Sequence, residues 1–346
     1  MFPHQAENYI DPIPTAQEQL KLLNQVQYLL QNGRSTTTYK YALLMSLVRL
    51  AIEKGDNSGK ALFLSSDDIA EKFIEIYWQQ SRPFQFEAEQ PFILNQHSNS
   101  NQQAKIINLI NEISPKPTTW VNLQRNSKQW QAIKNAVIGT VLSNPIERLQ
   151  EIGGKTVPFL YHPNHYNKKG LLLLPKVMYS LRQFSSLIEE LCQKKWMDSI
   201  LLYKKNAHLL NGIQNLQQFL FEYDRNQLTK IAPILKDIQD NHCFYCQKPI
   251  TGKQAVDHFI PWSMYPSDTG HNFVLADHSC NSDKSNLLAD IPFYERWQKR
   301  NDIYNDVIKS EVEPLGFLTN LDDSNSIAKW AYDHPRENQY SLWKGR

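Results

Sequence analysis

The sequence contains no run of about 18 consecutive apolar residues, the length that a helix needs to cross a bilayer. Residues 1–5 also lack the positively charged start and the apolar segment of a secretory signal peptide. Only four cysteines occur in 346 residues, too few for a disulfide scaffold. We therefore predict a soluble, cytoplasmic protein with no membrane partner.

Composition and charge narrow the class of protein further. With 41% hydrophobic and 21% charged residues, the chain is neither disordered nor fibrous, and its length predicts two or three domains. Residues 155–230 carry 11 Lys and Arg against 5 Asp and Glu, whereas residues 231–346 carry 12 against 16. A basic segment followed by an acidic one is typical of a phosphate-binding surface beside a cation site, although a solvated helix face gives the same pattern.

Helical spacing dominates residues 1–150. Thr15 and Glu18 form a capping box, which predicts the start of a first helix. A second helix is predicted to begin near Thr37 and to end at Gly55. We expect this N-terminal region to be a helical domain for recognition or regulation, with a partner protein or a trigger as its ligand.

The pattern changes in the middle of the chain. Apolar segments 157–161 and 171–174 flank a loop rich in Pro, Asn and Lys, which predicts a β-hairpin with a basic loop. Residues 154–156 read Gly-Lys-Thr, like the end of a phosphate-binding loop, but that motif requires a glycine where Leu149 stands. ATP hydrolysis is therefore not expected.

Three of the four cysteines lie close together in the sequence, near several histidines. Cys243 and Cys246 form a Cys-x-x-Cys turn, which presents two thiolates to one tetrahedral metal ion, and Cys280 can supply a third. The fourth ligand is less obvious from the residues alone. This cluster indicates a metal site rather than a disulfide.

A second set of residues between these cysteines carries the donors for a different cation. Asp257 and His258 follow an apolar pair, as at the end of a short strand, and Pro261 makes an end of the strand plausible there. The oxygens of Asp257 and Asn281 are hard ligands that suit Mg²⁺ or Mn²⁺. An imidazole such as that of His258 can take a proton from water near neutral pH.

Residues 242–290 resemble the HNH endonuclease family. The matching elements, in order, are Cys-x-x-Cys, Asp-His-x-x-Pro, Asn-x-Val-Leu and Cys-Asn-x-x-Lys. The resemblance implies a ββα-metal fold, in which two strands and a helix surround one divalent cation. It also implies hydrolysis of phosphodiester bonds to a 5′-phosphate and a 3′-hydroxyl.

The resemblance assigns a role to each matching residue. It makes His258 the general base that activates water, and Asp257 and Asn281 the ligands of Mg²⁺ or Mn²⁺. Asn272 is implied to brace the loop and to orient His258. Together these four form the catalytic set that we predict.

The resemblance also implies a structural zinc ion, with one departure in its ligands. Many HNH proteins with zinc have a second Cys-x-x-Cys, which would place a cysteine where Asp277 stands. We expect His278 to complete the tetrahedron with Cys243, Cys246 and Cys280, because imidazole competes for zinc better than carboxylate does. Asp277 is the alternative, and His242 or no zinc at all stay open. The ion would stabilise a domain whose core is too small to stand alone.

The sequence predicts an α+β, mostly α-helical fold. It also predicts four parts of the chain and an activity for one of them. The parts are a helical domain (1–150), a basic helical segment with the hairpin (151–240), the HNH domain (241–290) and C-terminal helices packed on it (291–346). The lysines assigned to nucleic-acid binding are Lys168, Lys169, Lys194, Lys195 and Lys284.

We expect a DNA endonuclease acting on double-stranded DNA, of the kind used in bacterial anti-phage defence or restriction. One active centre per chain suggests nicking, or a homodimer for a double break. A zinc-stapled binding module without catalysis and an RNase toxin are the alternatives.

Overall fold

The computed structural model describes residues 12–32, 36–84, 92–114, 118–166, 169–209, 213–221, 225–338 and 341–345. Over this part of the chain helices predominate, and the strands form three separate two-stranded antiparallel sheets. The predicted α+β, mostly α-helical fold is confirmed. No described helix is long and apolar enough to cross a membrane.

The helices are α1 (Ala16–Asn32), α2 (Tyr39–Lys54), α3 (Ser66–Trp78), α4 (Lys105–Ile113), α5 (Trp120–Gln124), α6 (Ser127–Val137), α7 (Ser143–Arg148), α8 (Val177–Gln183), α9 (Ser185–Leu202), α10 (Ile213–Phe221), α11 (Ala232–Ile238), α12 (His278–Lys284), α13 (Ile291–Val312) and α14 (Leu321–Asn338). The strands are β1 (Leu62–Ser65), β2 (Glu151–Ile152), β3 (Lys155–Thr156), β4 (Gly170–Leu173), β5 (Gln254–His258) and β6 (Phe273–Asp277).

The chain divides into two compact units. The first comprises residues 1–73, 95–105 and 134–206, and the second comprises residues 74–94, 106–133 and 207–346. The four-part division drawn from the sequence stays a prediction.

Helix α2 forms the centre of the first unit. It is buried along residues 41–53, on every side, and it packs against α8 and α9. Arg49 on α2 donates two hydrogen bonds, of 2.9 and 3.1 Å, to the Glu189 carboxylate on α9. A buried arginine needs such a partner, because an unpaired charge in the core is strongly destabilising.

The ends of the first two helices follow the sequence signals. Thr15 and Glu18 make reciprocal hydrogen bonds at the start of α1, with Thr15 N 2.8 Å from Glu18 Oε2 and Glu18 N 3.3 Å from Thr15 Oγ1. Helix α2 ends at Lys54, and its C-cap is Gly55. Both predictions are confirmed.

The strand pairing of the middle region differs from the predicted hairpin. Strand β4 pairs along its whole length with β1, and residues 157–161 contribute one bridge, from Tyr161 to Leu173. The ladder therefore joins segments far apart in the chain. A short hairpin does form at residues 151–156, where Gly153 and Gly154 adopt the positive φ angles of its turn.

The second unit contains a ββα arrangement. Strands β5 and β6 are antiparallel, with Asp257 opposite Val274 and His258 opposite Phe273, and α12 follows β6 directly. The Cys243–Cys246 turn is tied to β6, since the Phe244 amide donates to the Leu275 carbonyl at 2.9 Å. These elements bring the motif residues together.

Helix α13 stabilises this ββα arrangement through hydrogen bonds from two of its arginines. Arg296 donates to the backbone carbonyls of Phe244 and Tyr245, at 2.8 and 3.1 Å. Arg300, which is buried, donates to the carbonyls of Phe273 and His271, each at 2.6 Å. Both arginines thus satisfy backbone carbonyl groups next to the ββα elements.

Candidate catalytic and metal site

Asp257, His258 and Asn281 line one cavity of about 420 Å³. Two of them end β5, and the third lies on α12, one turn into the helix. Adjacent strand residues face opposite ways, but β5 ends at His258 and the chain turns at Pro261, which also lines the cavity. The three side chains on which the predicted chemistry depends are therefore close to one another.

Asp257, which lines the cavity, uses one of its two carboxylate oxygens for hydrogen bonds within the protein. Its Oδ2 accepts hydrogen bonds from the Tyr245 hydroxyl and from the Lys284 ammonium, the latter at 3.1 Å. Among the described residues, Oδ1 has no hydrogen-bond partner. Burial, together with the neighbouring Asp257, raises the pKa of Tyr245 well above its usual value, so the phenol stays a donor.

Asn281 presents an amide with no hydrogen bond to any described side chain or backbone group. Its helix is fixed at the start by Asp277, whose Oδ1 accepts from the Ser279 amide at 2.8 Å. One carboxylate oxygen and one amide oxygen, both without a partner among the described residues, thus belong to residues that line a single cavity. This donor set fits Mg²⁺ or Mn²⁺.

The His258 ring has a carboxylate partner that the sequence did not indicate. Its Nε2 lies 2.6 Å from Oδ1 of Asp268, which also lines the cavity. Asp268 stands ten residues downstream in an irregular loop, so no helical or strand periodicity relates the two. A loop residue of this kind is found only once the path of the loop is known.

Asn272 lies outside the cavity and holds that loop together. Its side chain is buried, its Oδ1 accepts from the Ile260 amide at 2.7 Å, and its Nδ2 donates to the Ile260 carbonyl at 2.9 Å. The Asn272 carbonyl also accepts from the Phe259 amide at 2.9 Å. These bonds fix the backbone that follows His258.

The three cysteines of the motif form a separate thiol cluster. The Sγ atoms of Cys243, Cys246 and Cys280 all lie within 4.8 Å of one another. Burial, followed by the neighbouring Cys243, raises the pKa of Cys280 to about 12. Burial would also raise the pKa of Cys246, but hydrogen bonds from the Lys248 amide and from the other two thiols lower it. Crowded sulfurs that share protons in this way are the donors that Zn²⁺ binds.

The structure brings none of the predicted fourth zinc ligands to these sulfurs. His278 is exposed at the start of α12, with Nδ1 3.4 Å from Ser282 Oγ. The Asp277 carboxylate caps α12, and only its backbone amide lies near the cluster, 3.2 Å from Cys243 Sγ. His242 likewise does not join the group. Among the described residues the cluster therefore has three candidate ligands, and His278 is not one of them.

The lysines assigned to nucleic-acid binding fall into different environments. Lys169 and Lys194 are exposed, and Lys195 is partly exposed, with Nζ 4.0 Å from an Asp198 oxygen. Lys168 lies outside the described residues. Lys284 is fully buried, so its ammonium contacts Asp257 and the His258 carbonyl, at 3.1 and 3.0 Å, rather than solvent.

Comparison with protein families matches two parts of the chain. Residues 243–289 match the family described as HNH endonuclease, which confirms the resemblance drawn from the sequence. Residues 19–217 match the family described as a domain of unknown function (DUF8808). Searches of curated proteins and of solved structures gave no match.

Proposed function

The chain belongs to the DUF8808 family, and since an HNH endonuclease domain follows that region, we propose that it is a divalent-metal-dependent endonuclease that hydrolyses DNA. One observation carries the proposal: Asp257, His258 and Asn281 line the same cavity. A base and two hard oxygen ligands around one cavity are the groups that this hydrolysis requires.

Each residue has a part in the proposed reaction. Asp257 Oδ1 and the Asn281 amide oxygen would hold Mg²⁺ or Mn²⁺. The bound cation would supply positive charge to the phosphate and to the leaving oxygen in the transition state. Lys284 and Tyr245 hold Asp257 Oδ2 and so direct its other oxygen into the cavity. Asn272 keeps the backbone after His258 in place.

His258 takes a proton from a water molecule, and the resulting hydroxide attacks phosphorus. The bond from phosphorus to the 3′ oxygen breaks, and that oxygen takes a proton from solvent. The products are a 5′-phosphate and a 3′-hydroxyl, so no redox partner or co-reactant other than water is needed. The cavity, about 420 Å³, has the volume of a small-ligand site.

Other parts of the chain would supply affinity and control. Lys169, Lys194 and Lys195 are the candidates for binding the DNA backbone, through charge rather than base contacts. The N-terminal helices would bind a partner protein or a trigger. If cleavage starts only when such a trigger binds, the enzyme would serve in bacterial anti-phage defence or restriction. Because each chain has one proposed active centre, a double-strand break would need two chains.

A plasmid-cleavage assay tests the proposal. Purified protein is incubated with supercoiled DNA and Mg²⁺, Mn²⁺ or EDTA. The wild type should give nicked or linear plasmid only with a cation, and His258→Ala should lose at least 100-fold in rate. His162→Ala is the matched control, because His162 is an exposed histidine of the first unit. Plasmid cut equally well by His258→Ala would contradict the assignment.

A second assay decides the substrate. Duplex DNA, single-stranded DNA and RNA of one sequence are compared at equal concentration, with end-labelling of the products. We expect the highest kcat/KM on duplex DNA and a 5′-phosphate at the cut. Preferential cleavage of RNA would favour the toxin alternative, and expression toxicity abolished by His258→Ala would show cleavage inside cells.

A further inference from the structure

The contact between His258 and Asp268 joins two residues that line the candidate cavity, and the HNH motif does not explain it. The distance from Nε2 to Oδ1 is 2.6 Å. The Asp268 side chain is 6% exposed and the His258 side chain 17% exposed, so both groups are shielded from water. A charge-assisted hydrogen bond of this length in a shielded site is strong.

The surrounding structure holds both partners in place. The His258 ring meets Phe273 edge to face, with centroids 5.1 Å apart, and meets Trp262 in the same manner at 5.5 Å. The loop that carries Asp268 is anchored next to it, where the Gly270 amide donates to the Leu318 carbonyl at 2.6 Å. The ring and the carboxylate therefore meet in a fixed orientation.

The hydrogen bonds of the Asp268 carboxylate involve His258 alone among the described residues. Asp268 Oδ2 is buried, and no described residue donates a hydrogen bond to it. The buried ammonium of Lys284 pairs with Asp257 instead. Within the described part of the chain, the imidazole is thus the single polar partner of Asp268.

We propose that Asp268 is a positioning residue: it accepts the Nε2 proton of His258, so that Nδ1 is the atom that removes the proton from water. Neutral imidazole carries one proton, and whichever nitrogen bonds a carboxylate must be the donor. Nδ1 has no hydrogen bond among the described residues, which leaves its lone pair available. This inference rests on the proposed nuclease function of the same site.

The same contact has a second consequence during the reaction. When Nδ1 takes the proton, the ring becomes an imidazolium whose positive charge lies next to the Asp268 carboxylate. Asp268 stabilises that charge without itself taking the proton, as in a Ser-His-Asp triad. The carboxylate thus contributes to the transition state and contributes little to binding of DNA.

The test compares Asp268→Asn with Asp268→Ala in the full chain. Asparagine has the same shape, but its amide can donate to Nε2, which moves the ring proton to Nδ1. We expect Asp268→Asn to lower kcat by about 10² to 10⁴ with KM for DNA within about twofold. Asp268→Ala should lower kcat less than Asp268→Asn does. Asp302→Asn, an exposed site on α13, is the matched control.

Nuclear magnetic resonance supplies a readout independent of activity. Long-range ¹H–¹⁵N spectra of ¹⁵N-histidine protein, recorded without metal at alkaline pH, show which ring nitrogen of His258 carries the proton. His258→Ala identifies the signals. We expect Nε2–H in the wild type and Nδ1–H in Asp268→Asn.

Three results would overturn the proposal: Nδ1–H in the wild type, an unchanged tautomer in Asp268→Asn, or an unchanged kcat in that variant. If Asp268→Asn instead loses affinity for Mn²⁺, measured by electron paramagnetic resonance, with its tautomer intact, then Asp268 is a cation ligand and the proposal is wrong. Failure of the nuclease function is recognised separately, by an inactive wild type, and the spectra still decide the tautomer.

Discussion

Lys284 and Asp257 form a buried ion pair, in which Nζ lies 3.1 Å from Oδ2 and the lysine side chain has no exposed surface. Burial lowers the pKa of Lys284, and the Asp257 charge opposes that shift. The aspartate that would bind the catalytic cation therefore also neutralises a charge in the protein interior. Substitution of Asp257 affects both roles at once.

This double role predicts different stability costs for the two cation ligands. Asp257→Ala leaves a buried ammonium unpaired and should lower the free energy of unfolding by about 3 kcal/mol. Asn281→Ala removes an amide with no hydrogen bond and should cost less than about 1 kcal/mol. Urea unfolding followed by tryptophan fluorescence measures both. Both variants should lose cation-dependent cleavage.

Asn281→Ala is thus the cleaner test of the cation site. For Asp257→Ala the control is Asp257→Asn, which keeps an acceptor for Lys284. Equal stability of Asp257→Ala and the wild type would show that the pair contributes nothing, and the assignment of Asp257 to a double role would then be abandoned.

The thiol cluster predicts which substitutions remove zinc from the protein and which leave it bound. Cys280→Ser should lose the bound zinc and lower the melting temperature, because the metal links the Cys243–Cys246 turn to α12. Cys192→Ala should keep one zinc per chain, since Cys192 is buried in the first unit and is not one of the clustered cysteines. Plasma mass spectrometry of purified protein measures the metal. His278→Ala should also keep the zinc, because that imidazole is exposed. Full zinc content in Cys280→Ser would contradict the site.

The sequence predicted the shared cavity of Asp257, His258 and Asn281 because these residues lie in a compact strand–loop–strand–helix motif. Local spacing suffices for such a motif: β5 ends where the apolar pair ends, and α12 begins at a capping aspartate. The ends of α1 and α2 were predictable for the same reason.

Long-range relationships were not predictable from one sequence. Leu62 pairs with Leu173 across more than a hundred residues, and no turn residue marks that pairing. Nothing in the sequence indicated that Lys284 is buried. A lysine in a polar segment is usually solvated, whereas here the side chain lies inside the protein and pairs with Asp257. Asp268 reaches His258 through an irregular loop, which has no periodicity to follow.

The exposed lysines of the first unit predict a salt-dependent affinity for DNA. Lys194→Ala with Lys195→Ala removes two positive charges from α9, which should weaken binding and lower the slope of log K against log salt by about 1 to 2. Lys21→Ala with Lys60→Ala removes the same charge from other exposed positions of this unit and is the control. Fluorescence anisotropy with labelled duplex measures both slopes. Equal slopes in the two double variants would place the DNA-binding surface elsewhere.

His271 predicts a loss of stability in acid. Its side chain is buried, with Nε2 3.0 Å from Asn305 Oδ1 and no described partner for Nδ1. Burial, with a smaller contribution from Arg300, lowers the pKa of His271 from 6.5 to about 4, although the hydrogen bond with Asn305 opposes that shift. Between these two values the unfolded chain binds a proton that the folded chain does not. The free energy of unfolding therefore falls as the pH falls through this window.

The effect is measured as a difference between variants, because other groups titrate in the same range. Between about pH 7 and about pH 5, the wild type should lose about 2 kcal/mol more than His271→Gln, whose side chain does not titrate. His162→Gln removes an exposed histidine and should follow the wild type. If His271→Gln loses as much stability as the wild type, then His271 accepts a proton in the folded state, and a rearrangement that gives Nδ1 an acceptor or access to water must accompany acidification.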